Sequence, residues 1–134
     1  MVHSIDTSVR SYLPTLVVDP NIRDAQRLAS HLSQQGFPSD FTTDCAVAQA
    51  AVRTRHYGSI VVFSSLSQPT ELDSLTSLRK RSTDTWIIVI NRGAAPDTQK
   101  SLLCHGVDAL LDAPFSIRDL LSRLLAFSLG SRPS

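Results

Sequence analysis

Polar side chains stand at the ends of three apolar runs, and these are the positions from which chemistry could be done. Asp19 ends TLVVD, Ser64 and Ser65 end GSIVVFSS, and Asn91 with Arg92 ends WIIVINR. A carboxylate there could ligate a metal, a hydroxyl could attack an electrophile, and an amide beside a guanidinium could hold an anion. Ser64 lacks a GxSxG turn and has no histidine placed to activate it, so an enzyme built on Asp19 and Ser64 is not expected. His3, His31, His56 and His105 show no metal-ligand spacing, and neither a metal nor a cofactor is expected. Cys45 and Cys104 have no CxxC spacing and are read as free thiols.

The apolar runs explain why those polar ends would converge. Thr15 to Asp19, Ile60 to Ser64 and Trp86 to Asn91 are apolar on both faces, as strands of a parallel sheet covered on two sides are. Phe37 to Thr42 is a weaker strand; Pro38 removes a ladder donor and assigns it to an edge. Ala109 to Leu111 is a short last strand.

Helices fill the intervals. Asn21 is the N-cap of the first, whose Ile22, Ala25, Leu28, Ala29 and Leu32 form one stripe, and Gly36 closes it in a left-handed conformation. Asp44 caps a second, Cys45 to His56, with Val47, Ala50, Ala51 and Val52 as its apolar side. The third, about Glu71 to Arg81, carries Leu72, Leu75 and Leu78 and ends in Arg79, Lys80 and Arg81, a basic run suited to a solvated helix C-terminus. A fourth covers Ala94 to His105. The last begins at Ser116, whose spacing to Asp119 is that of a capping box.

Strands alternating with helices through short connections imply right-handed βαβ units. The resulting expectation is a flavodoxin-like three-layer α/β/α fold with a five-stranded parallel sheet of order 2-1-3-4-5, and a crevice between the first and third strands where Asp19 and Ser64 face each other. The 134 residues suit one domain: residues 1–13 as a flexible lead-in, 14–128 as the domain and 129–134 as a polar tail. Thirteen Lys and Arg against twelve Asp and Glu give a net charge of +1, which offers no electrostatic case for direct nucleic-acid contact or for a membrane surface. No stretch has the apolar length of a membrane span and the start lacks a signal-peptide pattern, so a cytoplasmic location is expected.

With these segments in order, LVVDP, SIVVFS, WIIVIN, HGVDALLDAPF and RDLLSRLLA, the chain resembles the receiver domains of bacterial response regulators, the CheY-like part of two-component systems, over about Thr15 to Phe127. The resemblance implies a phosphorylation site, and this sequence departs from it at most positions. Ser64 stands where the family has its phosphoacceptor aspartate, and Pro20 where it has the second of two metal-binding acids beside Asp19. Asn91 replaces the Thr or Ser that reads the phosphoryl group, Ala113 replaces the lysine that neutralises it, and Leu110 takes the place of the aromatic switch. What survives is framework: the Gly106 turn, and Pro114 with Phe115 after a peptide bond expected to be cis.

The reading is a degenerate, pseudo-receiver-like signalling domain that acts by protein contact on a partner or an output domain, without phosphorylation. The resemblance also implies a dimer or partner surface on the fourth helix, last strand and last helix, where Asp108, Asp119 and Arg123 are the candidate interface residues, with Lys100 a further candidate on position alone. The alternative is a small-molecule or anion sensor whose altered crevice offers Ser64, Asn91 and Arg92.

Overall fold

The computed structural model describes residues 3–4, 13–64, 69–93 and 106–130. In chain order these form β1 (His3–Ser4), β2 (Thr15–Val18), α1 (Ile22–Gln34), β3 (Ser39–Thr42), α2 (Cys45–Thr54), β4 (Ser59–Ser64), α3 (Pro69–Arg81), β5 (Trp86–Asn91), β6 (Ala109–Asp112) and α4 (Ile117–Ser128). The helix expected over Ala94 to His105, with Lys100 and Cys104, lies outside the described residues, as does Ser65. No helix among the described residues is long and apolar enough to cross a membrane.

The sheet order is β1-β3-β2-β4-β5-β6, and the five strands β2 to β6 pair in parallel. Counted among those five, this is the expected order 2-1-3-4-5, the flavodoxin-like arrangement. A sixth strand was not foreseen: β1 pairs antiparallel with β3, setting His3 against Phe41 and Ser4 against Asp40. The strand expected at the edge, β3, therefore has a neighbour on both sides.

Strand alternation sorts the core into two halves. Leu16, Val18, Ile60, Val62, Ile87 and Val89 face α2 and α3, while Val17, Val61, Phe63, Ile88 and Ile90 face α1 and α4. The α1 stripe of Ala25, Leu28, Ala29 and Leu32 is buried as its periodicity predicts, but Ile22 is exposed. On α2 the buried residues are Ala48 and Ala51, so its inward face is rotated from the one expected, and Ala50 is exposed. Ala48 and Ala51 join the core half that Leu16, Val18, Ile60 and Val62 form on this side of the sheet.

Local signals set most helix ends. Asn21 Oδ1 accepts from the Asp24 N–H, and Asp44 Oδ1 accepts from the Ala46 N–H. Gly36, at φ 101°, closes α1 with Gly36 N–H donating to Ser33 O and Phe37 N–H to Leu32 O, a Schellman ending. Ser116 departs from expectation: it is the N-cap of α4, yet its side chain makes no capping bond. The Ala113–Pro114 peptide is cis.

The basic end of α3 is not uniformly solvated. Lys80 and Arg81 are exposed, but the Arg79 guanidinium turns inward. It donates to Gly106 O, Ser82 O and Thr85 O and to the Asp108 carboxylate at 2.6 Å. At the strands' amino-terminal side, buried Asp40 accepts from both Tyr57 Oη and Arg55.

Candidate functional site

The carboxyl ends of β2, β4 and β5 bring Asp19, Ser64 and Asn91 to one end of the sheet. Register then separates their side chains. Val18 lies beside Val62, which sets Asp19 level with Phe63 and leaves Ser64 one residue further along. Asp19 turns toward the α1 side and Ser64 toward α3, so the two do not form the facing pair the sequence suggested.

Asp19 is fully buried. One oxygen caps the turn after β2 by accepting the Asn21 N–H at 3.0 Å. Both oxygens also receive Arg92, Nη1 to Oδ1 at 3.0 Å and Nη2 to Oδ2 at 2.9 Å. That fork geometry is the strong, bidentate form of a carboxylate–guanidinium pair. The guanidinium carbon sits 4.5 Å from the centroid of the Phe63 ring, whose face favours a cation, and Asp24 approaches Nη2 at 4.0 Å. The Arg92 backbone is anchored as well, its N–H donating to Ser64 O at 2.9 Å.

On the other side, Ser64 Oγ donates to Glu71 Oε2 at 2.7 Å. Glu71 was missed by sequence reasoning: it lies in the first turn of α3, where an acid is favoured by the helix dipole whatever else it does. Its tertiary role leaves no separate trace. Asn91, nearly buried and in register with Ser64, donates to Asp112 at 2.9 Å, and its amide oxygen accepts the Gly93 N–H. Pro20 and Ala113 are exposed and contribute no polar side-chain atom. Leu110 is partly buried against the α2–α3 half of the core.

A small cavity of about 150 Å³ opens on the α3 side, lined by Pro20, Thr43, Cys45, Ser64 and Glu71 among others. Burial, and after it the charges of Asp44 and Glu71, push the Cys45 thiol up to about 11. It is therefore a packed thiol and not a reactive thiolate at neutral pH.

Among the described residues no group of three or more His, Cys, Asp or Glu could hold a metal ion. The Mg²⁺ that the resemblance implies does not fit these residues. A hard cation needs several oxygens, and here Pro20 offers none while both Asp19 oxygens are occupied by Arg92.

Of the candidate interface residues, Asp119 and Arg123 are exposed on α4, and no ion pair joins them among the described residues. Asp108 is turned inward: its side chain is 12% exposed, pairs with Arg79 and accepts the Ile87 N–H. Trp86 packs at the rim, stacked on Phe127 with ring centroids 4.2 Å apart.

No protein-family model matches the chain, and no curated protein matches it. Solved structures do. A Francisella response regulator receiver domain is 24% identical at a TM-score of 0.77, with 87% of this chain and 97% of that one covered. An orphan response regulator of H. pylori is 18% identical at 0.77, with 89% and 98% covered. A Burkholderia pseudomallei response regulator solved with a phosphorylated aspartic acid, calcium ion and citrate is 23% identical at 0.75, with 84% and 66% covered. These likenesses establish the fold.

Proposed function

We propose that this chain, which has the fold of response-regulator receiver domains, is a phosphorylation-independent member of that class that regulates a partner or an attached output domain by protein contact. The observation that carries the reading is the Arg92–Asp19 fork: a guanidinium of the chain itself neutralises the one retained acid, in the place where a receiver needs a metal. Two further features support it. Ser64 cannot form an acyl phosphate, and its hydroxyl is directed at Glu71, a carboxylate that would repel an incoming phosphoryl group. Ala113 supplies no cation to offset the added charge.

With the crevice self-neutralised, recognition falls to outer surfaces. Asp119 and Arg123 on exposed α4 positions are the residues assigned to a partner or dimer contact; Asp108 is less suited because Arg79 engages it. The sensor alternative finds less support, since Ser64, Asn91 and Arg92 each already bond a group of the chain.

The decisive experiment is incubation with acetyl phosphate and Mg²⁺. No acid-stable, base-labile label is expected, and stoichiometric labelling would overturn the proposal. For the surface, solution mass is compared between the native chain and Asp119→Lys or Arg123→Glu; if the native chain is a dimer, loss of that dimer in either variant assigns the face.

A further inference from the structure

A second cavity, of about 290 Å³, lies on the opposite face of the sheet from Glu71, between α1 and the start of α4. Its volume equals about ten water molecules' share of the liquid, close to the lower end of small-molecule sites. Leu28, Phe63, Phe115 and Ile117 form its apolar wall, with the Phe63 and Phe115 rings tilted against each other at 5.7 Å. Charged groups also line it, in two sets defined by their partners.

One set is Asp19, Asp24 and Arg92, in which a single guanidinium serves two carboxylates. The other is Arg27 and His31, at i and i+4 on α1 and therefore neighbours on one helical face. Arg27 forms no ion pair among the described residues. Arg27 and His31 thus offer donors that no carboxylate among the described residues engages, whereas Asp19 and Asp24 are approached by Arg92. Burying an apolar body against Leu28, Phe115 and Ile117 while a carboxylate meets Arg27 would satisfy both the wall and the unengaged donors.

We propose that this cavity is a binding site for a small amphipathic monocarboxylate, aromatic or branched, with its carboxylate on Arg27 and His31 and its apolar body on Leu28, Phe115 and Ile117. Inorganic phosphate fits less well because it has no apolar body to cover Leu28, Phe115 and Ile117, and Asp19 and Asp24 oppose a second negative charge. A primary amine fits poorly because the anionic end is already held by Arg92. The site goes beyond the regulatory reading above and does not depend on it.

Phenylacetate is the probe, followed by amide NMR of the full chain, with inorganic phosphate and phenethylamine as controls. Phenylacetate is expected to shift the amides of Leu28 and Ile117 saturably, with half-saturation near about 1 mM for a ligand of this size. Arg27→Ala, a change at an exposed position, is expected to weaken that binding at least about tenfold, and His31→Gln to weaken it less. The assignment is overturned by absence of a saturable shift up to about 20 mM, a concentration well above that expectation. It is equally overturned by unchanged affinity in Arg27→Ala, or by phosphate or phenethylamine producing the same shifts.

Discussion

The Arg79 guanidinium, on α3, and the Asp108 carboxylate, just before β6, meet at 2.6 Å with side chains only 13% and 12% exposed. Asp108 also accepts the Ile87 N–H at 2.8 Å, so one carboxylate joins α3, β5 and the turn into β6. Gly106, at φ 89°, completes the arrangement. A Cβ there would lie 2.7 Å from Arg79 Cγ, so only glycine both adopts the turn and lets the arginine pass.

Removing one partner of a mostly buried pair leaves the other uncompensated, and Arg79 additionally satisfies three backbone carbonyls. Arg79→Ala is expected to destabilise the fold by about 3 kcal/mol, measured by urea denaturation. Arg79→Lys should recover only part, because a single ammonium cannot reach the four acceptors that the guanidinium spans. A loss within about 0.5 kcal/mol would mean that the pair is dispensable.

The Arg92–Asp19 fork should behave as a coupled unit. Arg92 is 35% exposed, so solvent screens part of the interaction, while Asp19 has no exposure at all. A double-mutant cycle of Asp19→Asn and Arg92→Ala, read by denaturation, is expected to give a coupling of about 1–2 kcal/mol. Additive effects would remove Arg92 from its assigned role.

On the proposed reading, an acid introduced at the end of β4 should not create a phosphorylatable site. Ser64→Asp places a carboxylate where the hydroxyl donated to Glu71, turning a 2.7 Å hydrogen bond into a like-charge contact. A destabilisation of about 1–2 kcal/mol is expected, relieved by Glu71→Gln, with no labelling by acetyl phosphate in either variant. Labelling of Ser64→Asp would show that the crevice can still assemble the chemistry.

The Cys45 thiol, pushed by burial to about 11 from an ordinary 9.0, gives a pH dependence of definite sign. Between those values the native thiol keeps its proton while the unfolded thiol releases it, so stability is present below pH 9 and falls as pH rises toward 11. The slope from this group is at most about 1 kcal/mol per pH unit. Tyr57, raised by burial and by its bond to Asp40, acts in the same direction at higher pH. In a Cys104→Ser background, alkylation of native Cys45 at pH 8 should run roughly 100-fold slower than in urea; equal rates would contradict the burial.

Elements whose causes lie within a few residues were legible in the sequence. The β-branched apolar runs marked β2, β4 and β5, Asn21 and Asp44 marked two helix starts, and Gly36 marked a helix end, because each acts on backbone groups nearby. Alternation of strands with helices then fixed the sheet order, since connection handedness leaves few topologies. Ser116 shows the limit even of local signals: the capping spacing is present and the capping bond is not.

What the chain decided only on folding is where its charged side chains go. Arg79 reads as the solvated end of a helix, Glu71 as an ordinary first-turn acid and Arg92 as a loop residue. Their partners lie 29, 7 and 73 residues away, in Asp108, Ser64 and Asp19. Long charged side chains have no periodicity that reports direction, and their partners are chosen by which strand ends the sheet brings together. The sequence alone determined which side chains stand at Pro20, Ser64, Asn91 and Ala113, and so which groups those strand ends and loops can and cannot offer, because that is a matter of residue type. Only the tertiary structure showed a guanidinium folded back onto the buried Asp19, because a buried carboxylate must find a counter-charge and the crevice puts Arg92 within reach.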